Sequence, residues 1–242
     1  AGIAAITEIG IVRVEADPAG AAPPAVTEWS TLVNPGVPIP PEIQALTGIT
    51  NAMVRDAPAF ARIADEVRAR ISGAVFVAHN ARFDYGFLKH AYARLGREFT
   101  ARVLCTVRLS RRLFPDEPRH NLDSVIARHA LAVEGRHRAL GDARVLWAFV
   151  RALYRDLPPE AIEQAAKRVL KTPSLPPQLA PDALDAVPEA PGVYLFYCLN
   201  ALPLYIGKSR NLRERVGAHF SSDYRSATDL RLSSEIRRIE IE

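Results

Sequence analysis

The chain has 242 residues, 48% hydrophobic and 24% charged, with a formal net charge of +4 and a pI near 9.3. That length accommodates one large domain or two smaller ones with a core that needs no staples. No apolar run is long enough to span a bilayer and no signal-peptide pattern opens the chain, which argues against a membrane or secreted protein. Cys105 and Cys198 stand in no CxxC or Cys/His metal spacing, so they read as reduced thiols of a cytoplasmic protein. The basic balance permits a polyanionic partner without requiring one.

Ile6 to Glu15 and Ala25 to Val33 are β-branched, roughly alternating and separated by a Pro/Gly/Ala-rich loop, the pattern of an antiparallel hairpin. Pro40-Pro41 introduces a short helical turn through Leu46, and Thr47-Gly48-Ile49-Thr50 is a breaker before another small helix. Phe60, Ile63, Ala64, Val67 and Ile71 make an amphipathic helix. Ala74 to Ala78 then forms an apolar run without alternation, which predicts a strand covered on both faces and central in its sheet. A helix follows from Arg82, with Phe83, Phe87, Leu88, Ala91 and Leu95 at helical spacing.

Asp84 falls within roughly 40° of Leu88, Ala91 and Leu95 on that helix, which predicts a carboxylate on the buried face. An ionised group there is costly unless it is compensated, so Asp84 is either a first-turn acid favoured by the helix dipole or a metal ligand. Arg102 to Thr106 is a second short apolar run. A basic helix over Val107 to Phe114 ends at Pro115, with Arg108, Arg111 and Arg112 either its solvated face, the favoured reading, or contacts to phosphate. Asn121 is a good N-cap for Leu122 to Ala130. Val145, Leu146, Phe149, Val150 and Leu153 define a further helix, and Asp142 shares its apolar stripe. His137 would lie about 140° round a continuous helix from Asp142, so it belongs to the entering loop, aimed at the same site. Paired carboxylates beside a histidine suit metal-assisted phosphodiester hydrolysis, with the imidazole taking a proton from water.

HNARFD with Asp84, and the H-x-A-x-x-D formed by His137, Ala139 and Asp142, resemble the second and third motifs of DEDDh 3′→5′ exonucleases, the family of the polymerase III epsilon proofreading subunit. ITEIGIV, LTGIT and HNLDS fall where that family has similar sequence, and the likeness extends over about Ala1 to Arg155. It implies a ribonuclease H-like fold, two Mg²⁺ or Mn²⁺ ions held by Asp84 and Asp142, His137 as general base, and Asn80 among the nucleic-acid contacts. The family's first motif, Asp-x-Glu-Thr, has no counterpart, since the chain starts at Ala1 and Glu8 belongs to the following strand. An incomplete N-terminus and a weak hold on two metals are therefore expected.

Leu157 to Leu170 reads as one more helix, with Ile162, Ala165, Ala166 and Val169 on one face. Lys171 to Pro188 is a proline-rich, semi-rigid linker. Pro191 to Tyr197 and Pro203 to Gly207 read as two strands around a turn at Asn200, and Asn211 caps a helix through Phe220 with Leu212, Val216 and Phe220 on one side. Arg215 and His219 are i, i+4 neighbours on another side, and Lys208 lies in the turn feeding the helix.

Gly192-Val193-Tyr194 and Tyr205-Ile206-Gly207, followed by GKSRNLRERVGAHF, resemble the GIY-YIG nuclease domain of UvrC-type repair endonucleases. The resemblance implies one metal ion, Tyr194 and Tyr205 orienting or deprotonating the water, and Lys208 and Arg215 stabilising the phosphate charge. It gives His219 the last polar position, and Arg210 and Arg213 contacts to nucleic acid. That family's metal-binding Glu lies farther downstream than the chain reaches, so Glu235, Glu240 and Glu242 receive no such role.

The expected architecture is α/β, a ribonuclease H-like exonuclease domain with a mixed sheet over 1–155, a helix and linker over 156–187, and a small α+β GIY-YIG domain over 188–242. Both ends read as truncated. The expected function is a DNA-processing nuclease in repair, acting on single-stranded 3′ ends or damaged duplex, away from membranes and alongside repair or replication proteins. Two alternatives stand beside it: a non-catalytic DNA-binding protein that retains both folds, and an exonuclease directed at RNA, because contacts to the 2′-OH are not legible in one sequence.

Overall fold

A computed structural model describes residues 5–17, 22–171, 179, 183–184, 186–198, 202–220, 232 and 235–242. Strands β1 (Glu8–Glu15) and β2 (Ala25–Leu32) pair antiparallel, with Gly10 opposite Ser30 and Ile11 opposite Trp29. The predicted hairpin forms. Helix α1 (Pro41–Thr47) starts on a proline, whose fixed φ suits the first turn, and stops at Gly48 in the left-handed region with φ +70°. In α2 (Asn51–Val54) the Thr50 side chain accepts from the Met53 amide, an N-cap.

Helix α3 (Phe60–Ile71) buries Ile63, Ala64 and Val67, as its spacing predicts. Strand β3 (Val75–Ala78) pairs in parallel with β4 (Arg102–Cys105), and the two flank α4 (Ala81–Ala93) in sequence. Here the structure corrects an expectation. β3 is hydrogen-bonded on one edge only among the described residues, and Val77 is 38% exposed. An unbroken apolar run marks burial on average but does not say which residue faces an open side.

The antiparallel and parallel pairs form two separate ribbons over one core. Ile9 and Val33 pack there with Val67 of α3 and with Tyr85, Leu88 and Tyr92 of α4, while Phe76 and Val103 of the parallel pair are half-buried against them. The buried stripe of α4 runs through Ala81, Tyr85, Leu88 and Tyr92, and Phe83 is 56% exposed. Asp84 is accordingly exposed rather than on the buried face.

Helix α5 (Thr106–Leu113) is followed by α6 (Leu122–His129), which Asn121 caps by accepting from the Ser124 amide. The long α7 (Ala139–Asp156) buries Val145, Phe149, Ala152 and Leu153, and α8 (Pro159–Lys171) packs Ile162 and Ala165 with Phe149 and Leu153. Arg108 is not solvated, because its guanidinium donates to the Val169 carbonyl of α8 at 3.3 Å.

Most of the predicted linker and the turn at Asn200 lie outside the described residues. Leu179 and Val187 are buried with Tyr194, Phe196, Leu212, Val216 and Phe220 in a second core. That core is built on β5 (Gly192–Tyr197), β6 (Pro203–Ser209), α9 (Leu212–His219) and β7 (Arg238–Ile241), with β5 in the middle of an antiparallel three-stranded sheet. Asn211 caps α9 by accepting from the Glu214 amide. Strand β7 has no counterpart in the sequence reading, and Lys208 lies within β6 rather than in a turn.

Candidate functional site

In the first region, α4 supplies Asp84, α7 supplies Asp142, and the loop before α7 supplies His137. Asp142 continues the buried stripe of Val145 and Phe149 at the start of α7, so its half-buried carboxylate is directed by the packing of that helix. Desolvation by the surrounding protein raises the Asp84 carboxyl to about 7, and the Asp142 charge is close enough to push the same way. Asp84 is both exposed in area and strongly desolvated.

Arg136 is the residue the sequence reading missed. Its Nη1 lies 2.5 Å from Asp142 Oδ1, and its Nε and Nη2 donate to Asp123 Oδ1 at 3.1 and 2.8 Å. One guanidinium thereby neutralises two carboxylates, and a cation already sits on Asp142. His137 is exposed with φ +62°, and its amide is 3.4 Å from Asp142 Oδ1, so the loop turns back on the acid through its backbone. Next to it, Arg138 grips Glu8 of β1 at 2.6 Å, and Glu8 Oε2 accepts the Ala139 amide at 2.8 Å, capping α7 from another strand. Asn80 opens α4 in the left-handed region, φ +64°, where asparagine is tolerated. His79 beside it is held neutral, pushed down to about 4 by burial, with Nδ1 3.0 Å from Thr106 Oγ1.

A hard divalent cation prefers carboxylate oxygens, and the raised Asp84 beside Asp142 is a pair whose repulsion such an ion would relieve. The donor set fits in chemistry but is partial, since no group of three His, Cys, Asp or Glu side chains gathers as a metal cage among the described residues.

The second region is more tightly assembled. Tyr194 on β5 faces Gly207 on β6, and Phe196 faces Tyr205. The Tyr194 ring lies directly over Gly207, where an added Cβ would fall 2.3 Å from its Cζ, so only glycine admits the ring at that pair. Tyr194 is fully buried, and its hydroxyl meets His219 Nε2 at 2.6 Å. Tyr205 packs edge-on against the same imidazole, ring centroids 5.0 Å apart. Burial and the Tyr205 charge raise the Tyr194 phenol to about 12, and Arg215, which joins both phenols, pulls against them.

The structure thus brings together Tyr194, Tyr205, Arg215 and His219. A phenol held neutral and wholly buried is suited to orienting a neighbour, not to deprotonating water. Lys208 does not join them. Strand alternation puts it with exposed Ile206 on the face opposite Tyr205. Arg210 is exposed ahead of α9, and Arg213, also exposed, is tied back to the chain, its Nε donating to the Val187 carbonyl at 2.9 Å and its Nη1 lying 3.7 Å from Glu189.

An exonuclease family model of the RNase T type matches residues 3–150, and a UvrC-like GIY-YIG domain model matches residues 190–242. A Mycobacterium tuberculosis protein named as a bifunctional exonuclease/endonuclease is 37% identical over 222 residues, 90% of this chain and 34% of that protein. A DNA polymerase III subunit epsilon-like protein of Rhodobacter capsulatus is 44% identical over 128 residues, 52% of this chain and 18% of its own length. Among solved structures, exonuclease X in complex with 5′ overhanging duplex DNA is 26% identical with a TM-score of 0.48, covering 65% of this chain and 90% of that one. The chain therefore spans about a third or less of these two curated relatives. The exonuclease family depends on divalent metal ions and acts on nucleic acid. With its model covering more than half of the sequence, the chain belongs to the RNase T-type exonuclease family, and it carries a UvrC-like GIY-YIG domain over residues 190–242.

Proposed function

We propose that the protein processes DNA in repair, removing nucleotides from 3′ ends by hydrolysis in its first domain and nicking a strand in its second. The domains are taken as 1–155 and 188–242, joined by 156–187. The convergence of Tyr194, Tyr205, Arg215 and His219 carries the reading, because a cation and three hydrogen-bonding rings on one sheet face suit a phosphate oxygen and its attacking water. Tyr194 fixes His219, Tyr205 orients the water, and Arg215 compensates the phosphate charge. Arg210 and, from the far face, Lys208 meet flanking phosphates.

In the first domain Asp84 and Asp142 would hold Mg²⁺ or Mn²⁺, two ions there, with one more in the second site. Bound ions supply an acidified water and charge neutralisation at the phosphate. His137 would accept a proton from the attacking water, Asn80 would contact the nucleic acid, and Arg136 would leave Asp142 while keeping its bonds to Asp123. No helix among the described residues is long and apolar enough to cross a membrane.

The test uses the full-length protein with a 3′-labelled single strand and supercoiled DNA in Mg²⁺ or Mn²⁺. Asp84→Ala and Asp142→Ala should stop 3′ degradation, and Tyr205→Phe and Arg215→Ala should stop nicking. Unchanged degradation or nicking in these variants sinks the corresponding half. A second reading has one observation in its favour: Arg136 already occupies Asp142, as in a protein that binds DNA without cutting it. Salt-sensitive binding with no metal-dependent cleavage would decide for it.

A further inference from the structure

Arg82 stands where the two regions meet. It lies in the first turn of α4, two residues ahead of Asp84, and is only 6% exposed. Arginine is rarely buried so far unless it is paired. Its Nη1 and Nη2 donate to the main-chain oxygens of Phe220 at 3.3 Å and His219 at 3.4 Å, and its guanidinium lies 5.4 Å from the centroid of the Phe220 ring. Those carbonyls end α9, where the last oxygens lack intrahelical partners and the helix dipole is negative. A planar fork with a charged, weakly hydrated face matches both the carbonyls and the ring.

The same His219 whose carbonyl receives Arg82 carries the imidazole that meets the Tyr194 hydroxyl. We propose that Arg82 is a positioning residue that docks the end of α9 onto α4, so that the stance of His219 against Tyr194 is set from the exonuclease side of the chain. The two candidate sites then work as one unit, joined by a side chain adjacent to Asp84, and not as independent modules on a proline-rich tether. The inference goes beyond the proposed activities and does not require either of them.

The experiment uses the full-length protein and reads three signals: amide hydrogen exchange over residues 81–85 and 216–220, the small-angle X-ray radius of gyration, and the His219 ring nitrogens by ¹⁵N NMR. Arg82→Met keeps the apolar stem and removes the charge, and Phe220→Leu removes the ring from the other side. Each should speed exchange in both segments by roughly tenfold, the scale of one lost charge-assisted contact, and enlarge the radius. Arg82→Met should also shift the His219 Nε2 signal, which a merely structural arginine would leave in place, and Arg82→Lys should restore part of each signal. Folded Arg82→Met with unchanged exchange over 216–220 and an unmoved His219 signal overturns the inference. If Arg82→Met does not fold, Phe220→Leu decides alone: faster exchange over 81–85 supports docking, and unchanged exchange overturns it. None of these signals depends on cleavage, so failure of the nuclease reading would leave the docking result unaffected.

Discussion

Gly10→Ala puts the packing of α7 on β1 to a quantitative test. A Cβ built on Gly10 would lie 2.2 Å from the Leu140 amide nitrogen and 2.4 Å from the Ala139 carbonyl carbon. Ordinary carbon contacts begin more than an ångström farther out, and both obstacles are main chain, which has no rotamer to give. Gly10 does not sit in the left-handed region, so alanine fits its backbone conformation. The two effects oppose each other. Losing a glycine from the unfolded chain stabilises by about 0.4–1 kcal/mol, whereas forcing a methyl group into a packed contact costs about 1–3 kcal/mol. With the first turn of α7 required to move bodily, the steric term wins and the net loss is about 1–2 kcal/mol.

Trp29 on β2 and Trp147 on α7 are the two tryptophans of the chain, so tryptophan fluorescence during urea unfolding reports this region alone. At a slope of about 1–3 kcal/mol per molar, the midpoint should fall by roughly 0.3–2 M. A midpoint that is unchanged or raised would refute the reasoning, because it would mean that β1 and the start of α7 do not touch at Gly10.

Other consequences follow from the same contacts. Gly217→Ala meets nothing within 4 Å in the last turn of α9 and should stabilise the second region by up to about 1 kcal/mol, read as a raised thermal midpoint by circular dichroism. Gly207→Ala, by contrast, drives a methyl into the buried Tyr194 ring; it should cost about 1–3 kcal/mol and break the Tyr194 contact to His219, visible in the His219 ring signals. Glu8→Gln removes the ionic grip on Arg138 and weakens the cap on Ala139, at a cost of about 1–3 kcal/mol in the tryptophan-monitored transition. For Asp84 the sign runs opposite to that of a salt-bridged acid. Its folded-state pKa of about 7 exceeds the ordinary carboxyl value of about 4, so the folded protein holds the extra proton and stability falls as pH rises between them. Asp84→Asn should flatten that fall, and an undiminished slope in the variant would assign it to other groups.

Much of the chain was legible one element at a time. The hairpin alternation, the stripes of α3, α7 and α9 and the caps at Asn121 and Asn211 all involve residues a few positions apart, and the structure bears them out. The stripe of α4 misled because Phe83 and Leu88 carry equal apolar weight in a sequence, although one faces solvent and the other the core. Arg108 looked solvated for a related reason: nothing near it in sequence indicates that the Val169 carbonyl of α8 will reach it. Of the second site, the sequence supplied Tyr194, Tyr205, Arg215 and His219, but Lys208 went to the other face because one position along a strand reverses a side chain.

The amino-acid order by itself determined which segments coil, which extend, and which residue types recur in nuclease motifs, since propensity, capping and periodicity act within a turn or a strand. Only the tertiary structure decided that Arg136 sits on Asp142, that Glu8 closes on Arg138 across 130 positions, and that Arg82 ends α9. Those pairings depend on which charged or polar groups the packed cores bring within about 3 Å of one another, and a Coulombic or hydrogen-bonding choice among the 31 cations and 27 anions of this chain is made in space, not along the chain.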